Sequence, residues 1–181
     1  MPELLSLHLV VANDTAQSVT ASLAAQLLDT DGNVLDQTSL PTAVSPYSTS
    51  TPQKLPKNFV CPTDPAASLL HITLAKDEKP LAENVFLYMP DKYINRPDPK
   101  IQYQLRRDGE QWKLGLSCQK PAKDVRITVA AAATLSDNFF DMFPGRRYEV
   151  VIITDHNLAA LPDAITLRSA AQYRRKNLIF I

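Results

Sequence analysis

Asp137 and Asp141 are the acids whose spacing most suggests chemistry in this 181-residue chain. They stand four positions apart inside "SDNFFDMFPG", Ser136 to Gly145. Two carboxylates about 5–9.5 Å apart across a sugar ring can hydrolyse a glycosidic bond. The competing reading is that Asp137 accepts backbone N–H bonds, as Asp does at turns, while Asp141 is solvated or backbone-bonded. Other acids cluster in "DTDGNVLD", Asp29 to Asp36. A calcium loop of the EF-hand type needs Gly at its sixth position and an acid at its twelfth. Here Gly32 is fourth and Leu40 twelfth, so the segment reads as a hairpin turn. His8, His71 and His156 are far apart in sequence. His8 and His71 could meet on the outside of one sheet, but two His without a third ligand make a poor zinc site. No metal or cofactor is expected.

A second pair of motifs is a false friend. Ser117-Cys118-Gln119-Lys120 fits S-x-x-K, and Ser136-Asp137-Asn138 fits S-D-N, the signatures of serine β-lactamases. That acyl transfer needs its Ser at the start of a helix with the Lys one turn on. Ser117 instead closes an alternating stretch, Pro121 follows the Lys, and K-T-G is absent. Trp112 offers a ring on which a pyranose could stack, and Tyr93 is a second possible sugar contact, with Tyr47, Tyr88 and Tyr103 behind them. Trp112 alternates in phase with Leu114 and Leu116, so its first reading is core. Asn13-Asp14-Thr15 fits the N-glycosylation pattern.

The corner also carries Phe139, Phe140, Met142 and Phe143. Ser136-Asp137-Asn138 can cap one helical turn, and Pro144-Gly145 can end it. On this reading the four side chains plug the open end of a sandwich. Their burial would contribute roughly 6–12 kcal/mol, at about 1.5–3 each.

The elements that position these residues are strands. Leu5, Leu7, Leu9 and Val11 alternate with Ser6, His8, Val10 and Ala12; Val19 to Leu27 repeats the pattern. Asp31-Gly32 turns the chain into a returning strand over Asn33 to Leu40. Residues 41–68 read as a long loop with one or two short strands. Leu69 to Lys76 and Leu81 to Met89 pair across "DEKP". In "NRPDPK", Asn95 to Lys100, two prolines restrict themselves and their predecessors, giving a stiff extended connector. A second series follows: Ile101 to Leu105, Trp112 to Cys118, Val125 to Val129, Tyr148 to Thr154 and Ala164 to Arg168. Short strands at regular spacing imply an all-β chain of two consecutive immunoglobulin-like β-sandwich domains, 1–94 and 101–181, joined by linker 95–100.

Composition narrows the partners. Lys plus Arg equals Asp plus Glu, 19 each, so there is no net field to gather nucleic acid or an anionic membrane. No run reaches eighteen apolar residues, and "MPELLSLHLV" lacks the basic start and cleavage site of a signal peptide. Cys61 and Cys118 fall in different domains and read as free thiols. Arg174-Arg175-Lys176 before "NLIFI" reads as a docked strand or solvated tail.

"LSDNFFDMFPGRRYEV" resembles the C-terminal immunoglobulin-like domain of family 2 glycoside hydrolases of the β-mannosidase kind, a corner that exo-β-glucosaminidases share. "ENVFLYMPDKYINRPDPKIQYQL", Glu83 to Leu105, resembles the join between the penultimate sandwich and the last domain of those enzymes. The start of the chain resembles the start of that penultimate sandwich. The resemblance implies an accessory, non-catalytic region whose role is packing between domains. Its partners would be the upstream domains of the same polypeptide, including a (β/α)₈ barrel with two catalytic glutamates, and in addition a homodimer partner or an oligosaccharide. No catalytic residue carries over, because nothing here matches the barrel. The setting implied is periplasmic or secreted in a bacterium, lysosomal in a eukaryote. The alternative is a stand-alone carbohydrate-binding or cell-surface module.

Overall fold

The computed structural model describes residues 6–161 and 163–173 of the chain. The chain divides into two compact units between Asn95 and Arg96. Among the described residues no helix is long and apolar enough to cross a membrane. The tail at Arg174 to Ile181 and the strand position of Leu5 lie outside the described residues.

The first unit opens with β1 (His8–Leu9) and β2 (Ala12–Asn13), followed by β3 (Val19–Asp29) and β4 (Val34–Val44). Then come β5 (Ser48–Thr49), β6 (Gln53–Lys54), β7 (Ser68–Lys76) and β8 (Lys79–Leu87). An antiparallel sheet in the order β4-β3-β7-β8 forms one layer, and the pairs β1-β6 and β2-β5 lie outside it. Leu23, Ala25, Leu27 and Leu70 meet Leu9, Leu55 and Phe59 in the core. β4 runs past Leu40, where sequence reasoning stopped it. Pro41 stands opposite Ser22, and an edge strand tolerates the missing N–H. The β7–β8 turn has no glycine; Asp77 and Glu78 both take positive φ (50° and 63°), as a two-residue type I′ hairpin requires.

The second unit contains β9 (Gln102–Asp108), β10 (Gln111–Ser117), β11 (Ala122–Val129) and β12 (Thr134–Leu135). It continues with β13 (Phe140–Met142), β14 (Tyr148–Ile153), β15 (Ile165–Arg168) and a single helical turn, α1 (Ala170–Tyr173). Its sheets are ordered β12-β14-β10-β9 and β13-β11-β15. Trp112, Leu114 and Leu116 from one sheet, and Val125, Ile127 and Met142 from the other, fill the space between. The chain is thus all-β, with two immunoglobulin-like sandwiches in tandem.

The corner at 136–145 departs from expectation. It is not a helical turn. Ser136 to Phe139 is irregular and Phe140 begins β13. Phe139 takes φ +61° and its side chain is 61% exposed, so it plugs nothing. Phe140 is half-buried, while Met142 and Phe143 are buried. Only two of the four side chains therefore contribute full burial, about 3–6 kcal/mol. The reason is register: β13 must pair with β11, and alternation along an extended segment cannot send four neighbouring side chains to one side.

Candidate functional site

The corner works as a crossing between sheets. Ser136 belongs to the first sheet: its N–H donates to Val151 O at 2.9 Å, and its Oγ accepts from Val151 N at 2.9 Å. Two residues on, Asn138 belongs to the second. Its Oδ1 accepts from Ile127 N at 2.8 Å and its Nδ2 donates to Ile127 O at 3.0 Å. The side-chain amide thus replaces a peptide in the β11 ladder, which explains why Asn stands there. Phe139 N donates to Val125 O at 2.9 Å and to Asn138 Oδ1 at 3.0 Å, which holds the Phe139 backbone in the left-handed region. A Phe at such φ is uncommon and costs of order 1–3 kcal/mol, so its surroundings must impose it. The exposed ring lies under the Arg126 guanidinium at 6.0 Å.

The acids serve the same crossing. Asp137 Oδ1 accepts from Asn138 N at 2.7 Å, and Asp141 Oδ1 accepts from Asp124 N at 2.9 Å. Asp124 sits in the irregular step of β11 between Ala122 and Val125, at φ +52°. The acid brought to Asp141 is therefore Asp124, whose own oxygens bind Lys123 Nζ at 2.8 and 2.9 Å. Burial pushes the Asp141 carboxyl above its ordinary range, opposed by the Asp124 N–H bond and by Lys123. Phe143 N donates to the Tyr148 hydroxyl at 2.9 Å, and Tyr148 stacks on Phe140 with ring centroids 5.9 Å apart. Burial also raises the Tyr148 hydroxyl, against that hydrogen bond. Pro144 and Gly145, the latter at φ +77°, turn the chain toward β14.

The other sequence candidates scatter. Trp112 is 6% exposed and lies in the core beneath Arg107, so the sugar-platform alternative gives way to the core reading. Tyr93 is 56% exposed, with Lys92 Nζ 4.8 Å from its ring centroid. Ser117 ends β10, whereas Ser136 follows β12, two strands away across β14, so no S-x-x-K and S-D-N site assembles. His8 is on β1; His71 is on β7 in the other sheet, 2% exposed, with Nε2 3.7 Å from Glu83. They do not meet. Asp29 serves its turn: Oδ1 accepts from Asp31 N and Asn33 N at 2.9 and 2.8 Å. Asn13, whose motif suggested glycosylation, is buried, and Nδ2 donates to Gln17 O at 2.8 Å and Ser45 O at 3.0 Å. Among the described residues no three His, Cys, Asp or Glu side chains converge as metal ligands.

The two sandwiches correspond to two known domain families. Residues 6–93 match the Mannosidase Ig/CBM-like domain, and residues 96–173 match the Ig-fold domain of mannosidases. The chain is a mannosidase-type tandem of immunoglobulin-like domains.

Among solved structures, the tandem resembles the β-D-mannosidase of Dictyoglomus thermophilum with a TM-score of 0.78 at 15% identity. The match covers 94% of this chain and 21% of that one. It also resembles the exo-chitosanase CsxA of Amycolatopsis orientalis, with a TM-score of 0.58 at 14% identity, over 80% of this chain and 22% of that one. The tandem therefore spans about a fifth of the length of these structures. Comparison with curated proteins finds no match.

Two features of the tandem escaped sequence reasoning. One is the Asn138 clamp, whose only sequence signal is an Asn in a Ser-Asp-Asn run, which reads equally well as a local cap. The other is the Asn13 hub, which is an Asx turn inside a glycosylation pattern.

Proposed function

We propose that the tandem is a non-catalytic accessory region of a family 2 glycoside hydrolase, and that the parent activity is that of a β-mannosidase acting on terminal β-mannosides. The observation that carries the reading is the ordered pair of family matches, which align with a fifth of a β-mannosidase. The corner chemistry agrees with it. Ser136, Asp137, Asn138 and Asp141 all bind backbone, so the motif that looks most like a reactive site builds the sandwich instead. The work of such a region is to pack against the upstream domains of the same polypeptide. Phe139, an exposed ring on a backbone that cannot relax, is the natural contact for them. The alternative parent is an exo-β-glucosaminidase, supported by the exo-chitosanase likeness.

The test is to assay the purified chain on aryl β-mannosides and aryl β-glucosaminides. No turnover above a buffer blank is expected. Turnover that survives repurification and disappears on unfolding would sink the proposal.

A further inference from the structure

The outer face of the β12-β14-β10-β9 sheet has an open depression that reaches Gly115. Register places the rows. Gly115 stands between Gln104 of β9 and Glu149 of β14. On one side, Lys113 stands between Arg106 and Val151. On the other, Ser117 stands beside Gln102, and Arg147 is next to them just before Tyr148. Gly115 lacks a side chain where every neighbour has one, and it lines an open cavity of ≈ 680 Å³ together with Gln102, Gln104, Ser117 and Arg147. That lies within the roughly 300–1,000 Å³ of small-molecule sites.

The two ends of this face differ in how their polar groups are used. Arg106 Nη2 binds Glu149 Oε2 at 3.0 Å, and Lys113 Nζ binds Asp108 Oδ2 at 2.6 Å. The side chains of Gln102, Gln104, Ser117 and Arg147 carry no hydrogen bond or ion pair among the described residues. Gly115 needs no special backbone and its empty side is not filled by packing. An added Cβ would meet only Gln104 O, at an ordinary 3.8 Å. Glycine in the middle of a strand weakens it, so its presence calls for something to approach the backbone there.

We infer that this depression is a binding site for a short, uncharged oligosaccharide. Two planar amides offer donor and acceptor side by side, a hydroxyl offers both, and a guanidinium offers fixed donors. Vicinal sugar hydroxyls, each donor and acceptor, match that set. One cation beside the paired Glu149 creates no field for a polyanion or nucleic acid. The bare backbone floor at Gly115 lets a ring sit close.

The test uses the whole 181-residue chain, isotope-labelled for NMR. It is titrated with β-1,4-mannotriose and cellotriose as neutral probes and with trigalacturonate as the anionic one. A neutral probe should shift the amides of Gln102, Gln104, Gly115 and Ser117. Gly115→Val should weaken that response at least about tenfold while leaving the thermal midpoint equal or higher, since valine suits a strand. Arg147→Ala should weaken it less. Silence with both neutral probes, a response to trigalacturonate alone, or an undiminished response in Gly115→Val would each overturn the inference. None of these results touches the accessory-region proposal, which stands or falls on turnover.

Discussion

In the first domain, one layer is a full four-stranded sheet and the other is made of two-residue strands, β1, β2, β5 and β6. In the second domain, four strands face three, and the layers share a core from Trp112 to Ile165. Two-residue ladders supply few backbone bonds, so the first domain fastens its thin layer with side chains. Asn13 ties the 13–17 turn to residue 45, and Ser50 Oγ accepts from Val11 N at 3.0 Å. The Tyr88 hydroxyl donates to Phe59 O at 2.6 Å, and burial pushes its pKa up to about 12. The second domain concentrates such fastening at the corner where the chain leaves one sheet for the other, with a further tie from Thr154 Oγ1 to Ala132 O at 2.7 Å. The lesson is that a sandwich can be closed by ladder length or by side-chain anchors. The residues to mutate differ accordingly.

The comparison can be broken in four ways. Leu114→Ala in the second-domain core should cost about 2–5 kcal/mol. The fluorescence of Trp112, the chain's only tryptophan, reads that domain's unfolding in urea. A loss under about 1 kcal/mol would mean that its core is not the principal support. Asn13→Ala should cost about 1–3 kcal/mol, because it removes the buried amide that binds the carbonyls of Gln17, Val44 and Ser45. Far-UV circular dichroism of urea unfolding measures it, and a neutral result would dissolve the anchor argument for the first domain.

A smaller effect is expected at the corner. Phe139→Gly should leave the second domain as stable or raise its stability by up to about 1 kcal/mol, since glycine accepts the left-handed backbone. Had Phe139 been a plug, the same change would cost about 3–5 kcal/mol. Trp112 fluorescence separates the two. The smallest effect concerns pH. With its carboxyl held above the ordinary range, Asp141 binds its proton more tightly in the folded state than in the unfolded one. Its contribution is complete below the usual aspartate pKa and is lost as pH rises through the folded value. Asp141→Asn should flatten that part of the thermal-midpoint profile just above about pH 4. An unchanged slope would place the charge elsewhere.

Reading from sequence succeeded where a residue's own chemistry decides the outcome. Alternation placed Trp112, Leu114 and Leu116 in one core because strand side chains have a period of two. Asp31-Gly32 marked a hairpin because glycine reaches positive φ cheaply. It stopped short at β4, since Pro41 is acceptable only on an edge and sequence does not reveal which strands are edges. It misread Ser136 to Phe143 because Asn138 completes the backbone of a strand eleven residues upstream, a partner no local pattern contains. The grid around Gly115 was invisible for the same reason: its rows join residues from three strands.

By itself, then, the amino-acid sequence determined the all-β character, the alternating core faces and the motif that marks the corner, because propensity and periodicity act over a few residues. Tertiary structure alone decided that Phe139 faces outward, that Asp141 meets Asp124, and that Gly115 lies between Gln104 and Glu149. Those outcomes depend on which strands pair and in what register, and pairing between distant segments is settled only when the sheets close over their cores.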